Sequence, residues 1–427
     1  MNTTLTNIAL LGKRLRTVIL FIGIICIALN TGYAQPTIRI SDQMDKQITI
    51  NEAVTKEMIT EIKKVTADGT NYSISLQEIK SNDDIAKICK EFPNVKALSI
   101  RAEKEVTSIA PVAKLKYITN FQLYGGSVTD YSPINSLTNL TFLIVKQCPV
   151  GPDLKWLSHL TKLTFLHIWG NNNLPGGTKL VSFEGIPDMP SLRSIEISDA
   201  APASLAPLQV LYFVKSVELR NSEIADLSPL AGMRALEKLD LYGSKVRDFS
   251  PLSGCKKLRE VSFYATKNAD YETFGKVTQL EVLHGGLTEL EDISWITSLV
   301  NLKSFHAFFE NIKDYTPLTK LKLEELKLWS MKSKSIDLNF LSGIPTLKKL
   351  ILESIENAGN IKTLQSLVNL ESLTITKFNT QGGEAVPLDI IKKLPKLKEF
   401  VVTKDLFTEE QLSGFANPDV NINGRTW

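Results

Sequence analysis

The side chains of this 427-residue chain best suited to recognition recur at a steady interval along the sequence. Tyr242, Tyr264 and Phe308 stand 22 and 44 residues apart, and Trp329 follows 21 residues after Phe308. Tyr124 and Trp169 take the same place in earlier segments, as do Lys146, Ser198, Arg220 and Gly286. Two residues upstream runs a second row, with His167, Glu196, Glu218, Asp240, Ser262, His284, His306 and Lys327. Phe142 and Phe165 belong to a third.

Aromatic rings supply large contact area at low entropic cost, which suits a binding surface, although rings on adjacent strands can also simply stiffen a sheet. Carboxylates at Glu196, Glu218 and Asp240 would hold either a cation or a salt-bridge network with the neighbouring Arg220 and Lys238. His284 and His306 offer two nitrogens, short of the three or four protein ligands of a metal site. The sequence contains no GxSxG, HExxH or phosphate-binding loop, and no nucleophile and base at a convincing spacing. We therefore expect a binding protein without catalytic residues or cofactor. The candidate ligand-binding residues are Tyr124, Phe142, Phe165, His167, Trp169, Glu218, Arg220, Asp240, Tyr242, Tyr264, His284, His306, Phe308 and Trp329.

The interval comes from internal repetition. Residues 214–301 are four consecutive 22-residue copies of one pattern, opening Val214, Val217, Leu219; Leu236, Leu239, Leu241; Leu258, Val261, Phe263; and Leu280, Leu283. A fixed period of this length marks a solenoid, whose units bury their apolar sides only against their neighbours. The same opening recurs from Val95 to Leu397, giving about 14 strands over residues 95–403.

The second half of each unit carries a motif. Ile224-Ala225-Asp226-Leu227-Ser228-Pro229-Leu230 and Val246-Arg247-Asp248-Phe249-Ser250-Pro251-Leu252 are two examples, and Asp130-Tyr131-Ser132-Pro133-Ile134 and Asp314-Tyr315-Thr316-Pro317-Leu318 repeat it. These residues resemble the 22-residue, internalin-like class of bacterial leucine-rich repeats. The resemblance implies an α/β solenoid: a curved stack with a parallel β-sheet on the concave face and short helices, 3-10 turns or extended segments on the convex face. It also implies a protein partner, such as a host or surface protein, bound on the concave face. Alternatives of other classes are a glycan, stacked on rings such as Tyr242 and Tyr264 with Asp240 and Glu218 taking hydroxyls, and a structural surface component.

The chain's ends fit this organisation. Lys13, Arg14 and Arg16 precede an apolar run from Val18 to Leu29 and then Thr31-Gly32-Tyr33-Ala34, the pattern of a secretory signal peptide cleaved near Ala34/Gln35. Residues 1–34 would be the leader, and the mature protein would be secreted, periplasmic or on the cell surface. The leader carries three basic and no acidic residues, so its removal takes the net charge from +3 to 0. A neutral protein has no electrostatic reason to bind nucleic acid or an anionic membrane, and no membrane-spanning segment is expected after cleavage.

Residues 35–94 read as an N-terminal cap with two helical stripes, the first starting at Asn51, and residues 404–427 as a C-terminal cap. Cys89, Cys148 and Cys255 are an odd, sparse set; Cys148 and Cys255 lie too far apart to pair and read as packed thiols. Gly170–Thr178 and Asn379–Gly383 are turn-rich insertions expected on one rim. Gly286, between Tyr264 and Phe308, is expected to leave a shallow depression flanked by His284 and His306, with the rings standing clear of the core.

Overall fold

The computed structural model describes residues 46–423 except 70, 172–178, 265–268, 331–334, 384, 404–405, 409 and 413–419, together with the backbone of 24–26, 38–41 and 425–426. The rest of the leader, its cleavage position and most of the first insertion lie outside the described residues.

One sheet, parallel except for antiparallel pairings at its two ends, runs through the described residues. Its strands are β1 (Lys46–Ile50), β2 (Tyr72–Ile79), β3 (Ala97–Ala102), β4 (Asn120–Gly125), β5 (Phe142–Cys148) and β6 (Phe165–Gly170). They continue as β7 (Ser194–Ser198), β8 (Ser216–Arg220), β9 (Lys238–Asp240), β10 (Glu260–Phe263), β11 (Val282–Leu287) and β12 (Ser304–Phe309). The series closes with β13 (Glu325–Trp329), β14 (Lys349–Gly359), β15 (Ser372–Thr380), β16 (Glu399–Val402) and β17 (Asn421–Ile422). Each pairs in parallel with the next, in a register that places equivalent repeat positions side by side, such as Val217 beside Leu239 and Leu239 beside Val261.

The apolar positions of the repeat explain this stack. Leu236, Leu239 and Leu241 are all fully buried, as are Leu258, Val261 and Phe263 one unit later. Strand alternation then turns Lys238 and Asp240 to the opposite, concave side. At Gly285 the leucine position is vacated because Phe263 of the neighbouring strand fills it; a Cβ there would sit 2.7 Å from that ring.

The second half of each repeat forms a 3-10 turn for a local reason. The aspartate of the motif folds its carboxylate back onto the chain: Asp226 accepts the Ser228 N–H at 2.8 Å, and Asp248, Asp292 and Asp314 do the same at 2.8 Å to Ser250, Ser294 and Thr316. In the turns after Asp226, Asp248 and Asp314 proline then occupies the first turn, where its missing N–H costs nothing, while Trp295 stands there after Asp292.

The rims are also patterned. From Lys215 to Lys398 the residue after each opening apolar position alternates in charge from strand to strand, so Lys215 meets Glu237 at 2.8 Å, Glu281 meets both Arg259 at 3.3 Å and Lys303 at 2.7 Å, and Lys348 meets Glu324 at 2.7 Å. Exposed pairs of this kind contribute little each, yet a one-step slip along the stack would oppose like charges.

At the N-terminal end the sheet extends through β1 and β2, with α1 (Lys56–Val65) connecting β1 to β2 and α2 (Asn82–Glu91) connecting β2 to β3. Met58 and Ile62 of α1 and Ile85, Ile88 and Cys89 of α2 are buried. The N-cap of α1 is Thr55, whose hydroxyl accepts the Met58 N–H at 3.3 Å, in place of the expected Asn51. Thr55 wins because the helix begins at Lys56, and a cap must sit immediately before the first turn. The three cysteines are buried and unpaired; the Cys148 thiol donates to backbone carbonyls of Gly125 and Lys146, both at 3.0 Å. No helix among the described residues is long and apolar enough to cross a membrane.

Candidate functional site

The register sets the concave face. It brings Ser262, His284, His306 and Lys327 into one line across β10–β13, and Gly286, Phe308 and Trp329 into another. Glu196, Glu218 and Asp240 form the corresponding line across β7–β9.

The rings at the C-terminal half join into a chain. Tyr242 and Tyr264 have centroids 6.0 Å apart, Tyr264 and Trp329 5.8 Å, and Trp329 and Phe308 5.5 Å, all tilted rather than flat on one another. Tyr264 and Trp329 belong to segments three strands apart, so their side chains lean towards each other across the intervening pair. Gly286 lies between them and is buried. The expected depression at Gly286 is therefore filled: a glycine presents no side chain, and the large indole of Trp329 folds over the space. Tyr264 is consequently half-buried, and burial pushes its phenol up to about 12. Tyr242, at the end of the chain of rings, remains 45% exposed.

Beside these rings, His284 and His306 stack with centroids 4.3 Å apart and planes only 3° from parallel. Burial holds both imidazoles below the usual histidine range; His306 is also pulled upward by the Glu325 carboxylate 3.1 Å from its Nε2, and His284 pressed further down by His306. Parallel rings point their nitrogens side by side rather than at a common centre. The described residues include no group of three or more His, Cys, Asp or Glu side chains arranged to hold a metal.

The acidic line is a salt-bridge network. Arg220 donates through Nε and Nη2 to Asp240 Oδ2 at 3.0 and 2.6 Å, and Nη2 lies 3.1 Å from Glu218. Asp240 Oδ1 accepts the Tyr242 N–H at 2.9 Å, so both oxygens of this buried carboxylate are engaged. Lys238 turns to Glu260 at 2.9 Å instead of the acidic line, which corrects the expected pairing. Burial raises Glu218 above the usual carboxylate range despite Arg220. Glu196 is held below that range, chiefly by its hydrogen bond from His167, 2.6 Å away.

Comparison with known proteins fits this geometry. No protein-family profile matches the chain, and no curated protein matches it by sequence. Among solved structures, an internalin from Listeria monocytogenes superposes with a TM-score of 0.55 at 20% identity, over 81% of this chain and 94% of the internalin. A leucine-rich-repeat protein from Leptospira interrogans gives 0.50 at 16% identity, over 87% of this chain and 99% of its own. The fold is the internalin-type leucine-rich-repeat solenoid. A chain of the Toll–Spatzle complex of Drosophila superposes with a TM-score of 0.53 at 13% identity, over 87% of this chain and 56% of that one.

Along this solenoid the fourteen candidate residues fall into separate groups. Tyr124 stands near the N-terminal end, its hydroxyl donated to Gln122 at 2.8 Å and the Arg101 guanidinium over its ring at 4.9 Å. Phe142 and Phe165 stack at 4.7 Å, and Phe165 meets His167 edge-on at 6.3 Å. Trp169 lies beside them, with Lys146 over its ring at 5.8 Å and its indole N–H donated to Asp199. Glu218, Arg220 and Asp240 make the charged bridge to the second group, where Tyr242, Tyr264, Trp329 and Phe308 join with His284 and His306. The concave surface thus offers two aromatic patches separated by a charged strip. Arg101, Asp199 and Glu325 carry no motif of their own: each acts through a neighbouring strand, and only the register reveals those pairings.

Proposed function

We propose that the protein is an exported binding protein whose concave face seats a protein partner on the ring cluster of Tyr242, Tyr264, Phe308 and Trp329. The observation that carries this reading is the continuity of those rings on the concave side of the strands, ending in the exposed Tyr242. Clustered aromatic anchors ringed by polar groups are the usual energetic centre of a protein interface. The Toll–Spatzle complex is an instance of this general fold in a protein assembly. Export rests on the basic and apolar leader of residues 1–34. A glycan is a weaker fit at these rings, because both Asp240 oxygens that would take hydroxyls are already engaged by Arg220 and the Tyr242 N–H.

The deciding experiment is affinity capture from surface and extracellular protein fractions with the purified protein, repeated with Tyr242→Ala. Capture of one defined protein by the native chain, lost with Tyr242→Ala at unchanged melting temperature, supports the reading. A partner captured equally well by both, or a ligand that proves to be a glycan, overturns it.

A further inference from the structure

A second feature of the concave face lies at its N-terminal end, at least five strands from the ring cluster and so roughly 24 Å away at the usual inter-strand spacing. Side chains from β1 to β4 enclose an open cleft of about 330 Å³. That volume is at the small end of the roughly 300–1,000 Å³ range of small-ligand sites.

Its lining is unlike the rest of the face. It carries amides and hydroxyls, one cation and no acidic side chain: Gln47, Ser99, Arg101, Asn120, Gln122 and Tyr124 supply the chemistry. Most lysines and arginines elsewhere on the concave sheet are paired with carboxylates, Arg220 with Asp240, Lys238 with Glu260, Lys327 with Glu353 and Lys349 with Glu325, while Lys146 lies over the Trp169 ring at 5.8 Å, outside the cleft. Arg101 forms no ion pair among the described residues; its only recorded partner is the Tyr124 ring at 4.9 Å. Tyr124 is itself anchored, its hydroxyl on Gln122, whose amide in turn donates to Asn120 at 3.0 Å. The guanidinium is thus laid on a fixed platform with its hydrogen-bonding edge unused. The side chains of Gln47 and Ser99 likewise make no hydrogen bond within the described residues, and the Asn120 amide NH2 group is unclaimed.

We propose that this cleft is a binding site for an acidic saccharide, with Arg101 taking the carboxylate in a bidentate pair and the surrounding amides and hydroxyls taking the sugar hydroxyls. A guanidinium fork matches a carboxylate geometrically, and holding it on a ring beforehand reduces the ordering cost of binding. Amide groups, with donors and acceptors side by side, match hydroxyls that both donate and accept. The absence of lining carboxylates removes the repulsion that an anionic ligand meets farther along the face, at Glu196 and Glu218.

The test uses the full mature chain and three probes: glucuronate, glucose and acetate, titrated while amide and arginine side-chain NMR signals are followed. Saturable shifts centred on Arg101 and Asn120 are expected with glucuronate, at least tenfold weaker binding with glucose and acetate, and loss of the glucuronate shifts in Arg101→Gln. Because Arg101 is exposed, that variant should melt at the native temperature; Ser99→Ala, expected to weaken binding severalfold, provides a second reading if it does not. Glucuronate binding that survives Arg101→Gln, acetate binding as tight as glucuronate, glucose binding as tight as glucuronate, or no saturable shift with any probe each overturns the proposal.

Discussion

Tyr264 and Trp329 meet ring to ring at 5.8 Å although three strand steps separate them, and the residue that allows it is the buried Gly286 between them. The ring cluster is therefore both a surface and a piece of packing. Its members should differ in what their removal costs. Trp329→Ala removes contacts to Tyr264 and Phe308 together, so both melting temperature and partner affinity should fall, with a stability loss of about 1–3 kcal/mol. Differential scanning calorimetry reads the first quantity; an unchanged melting temperature would mean the rings do not support one another.

Tyr242, by contrast, has a free face. Tyr242→Ala should weaken a partner bound at the cluster by about 2 kcal/mol, roughly thirtyfold, while leaving the fold nearly untouched. Calorimetric titration beside a melting curve on the same sample separates the two effects. A variant that melts lower yet binds as before would assign this ring to packing alone.

The strand phase predicts a sharp contrast within three residues. Leu239 is fully buried, and Leu239→Ala should destabilise by roughly 2–5 kcal/mol. Lys238 faces the concave side and makes one partly exposed pair with Glu260, so Lys238→Ala should cost about 1 kcal/mol or less. Urea unfolding of both variants measures this, and equal midpoint shifts would contradict the observed register.

The stacked histidines predict a pH dependence. Burial depresses the folded-state pKa of both His284 and His306, whereas in the unfolded chain each titrates near about 6.5. Between those values the unfolded chain binds more protons, so stability is full above about pH 6.5 and declines as the pH falls below it. The carboxylates held low, Glu196 and Glu325, also lose their contribution on acidification, but nearer the carboxylate range. Replacing both histidines by glutamine should flatten the decline between about pH 6.5 and 5, a window set by the unfolded histidine and carboxylate values. Unfolding free energies measured across that window test it; an unchanged slope would show that the stack is not its source.

Thiol chemistry should be silent in the native state. Burial pushes Cys89 and Cys148 up to about 12 and Cys255 up to about 11, and the thiolate is the reactive form. Iodoacetamide at neutral pH should label none of these three until denaturant is added. Labelling of Cys148 in the folded protein would mean that its hydrogen bonds to Gly125 and Lys146 open readily.

Much of this molecule is legible in its sequence alone. The period of 22 residues prescribes which side chains go inside, because a strand alternates its faces and each repeat can bury its apolar side only on the next; Leu239, Leu241 and Phe263 are buried accordingly. The aspartate and proline of the motif likewise act within a few residues, so the 3-10 turns follow from local chemistry. The three lines of the concave face also come from counting alone. What counting could not supply is the direction in which long side chains lean once they leave the sheet. Trp329 lies over the place of Gly286, Lys238 turns to Glu260 rather than to the acidic line, and Arg101 rests on Tyr124 without an acidic partner. Those outcomes depend on which neighbours lie within reach across several strands, a distance of ångströms set by register and rotamer. They decide where the face is filled, where it is neutralised, and where it remains free to bind.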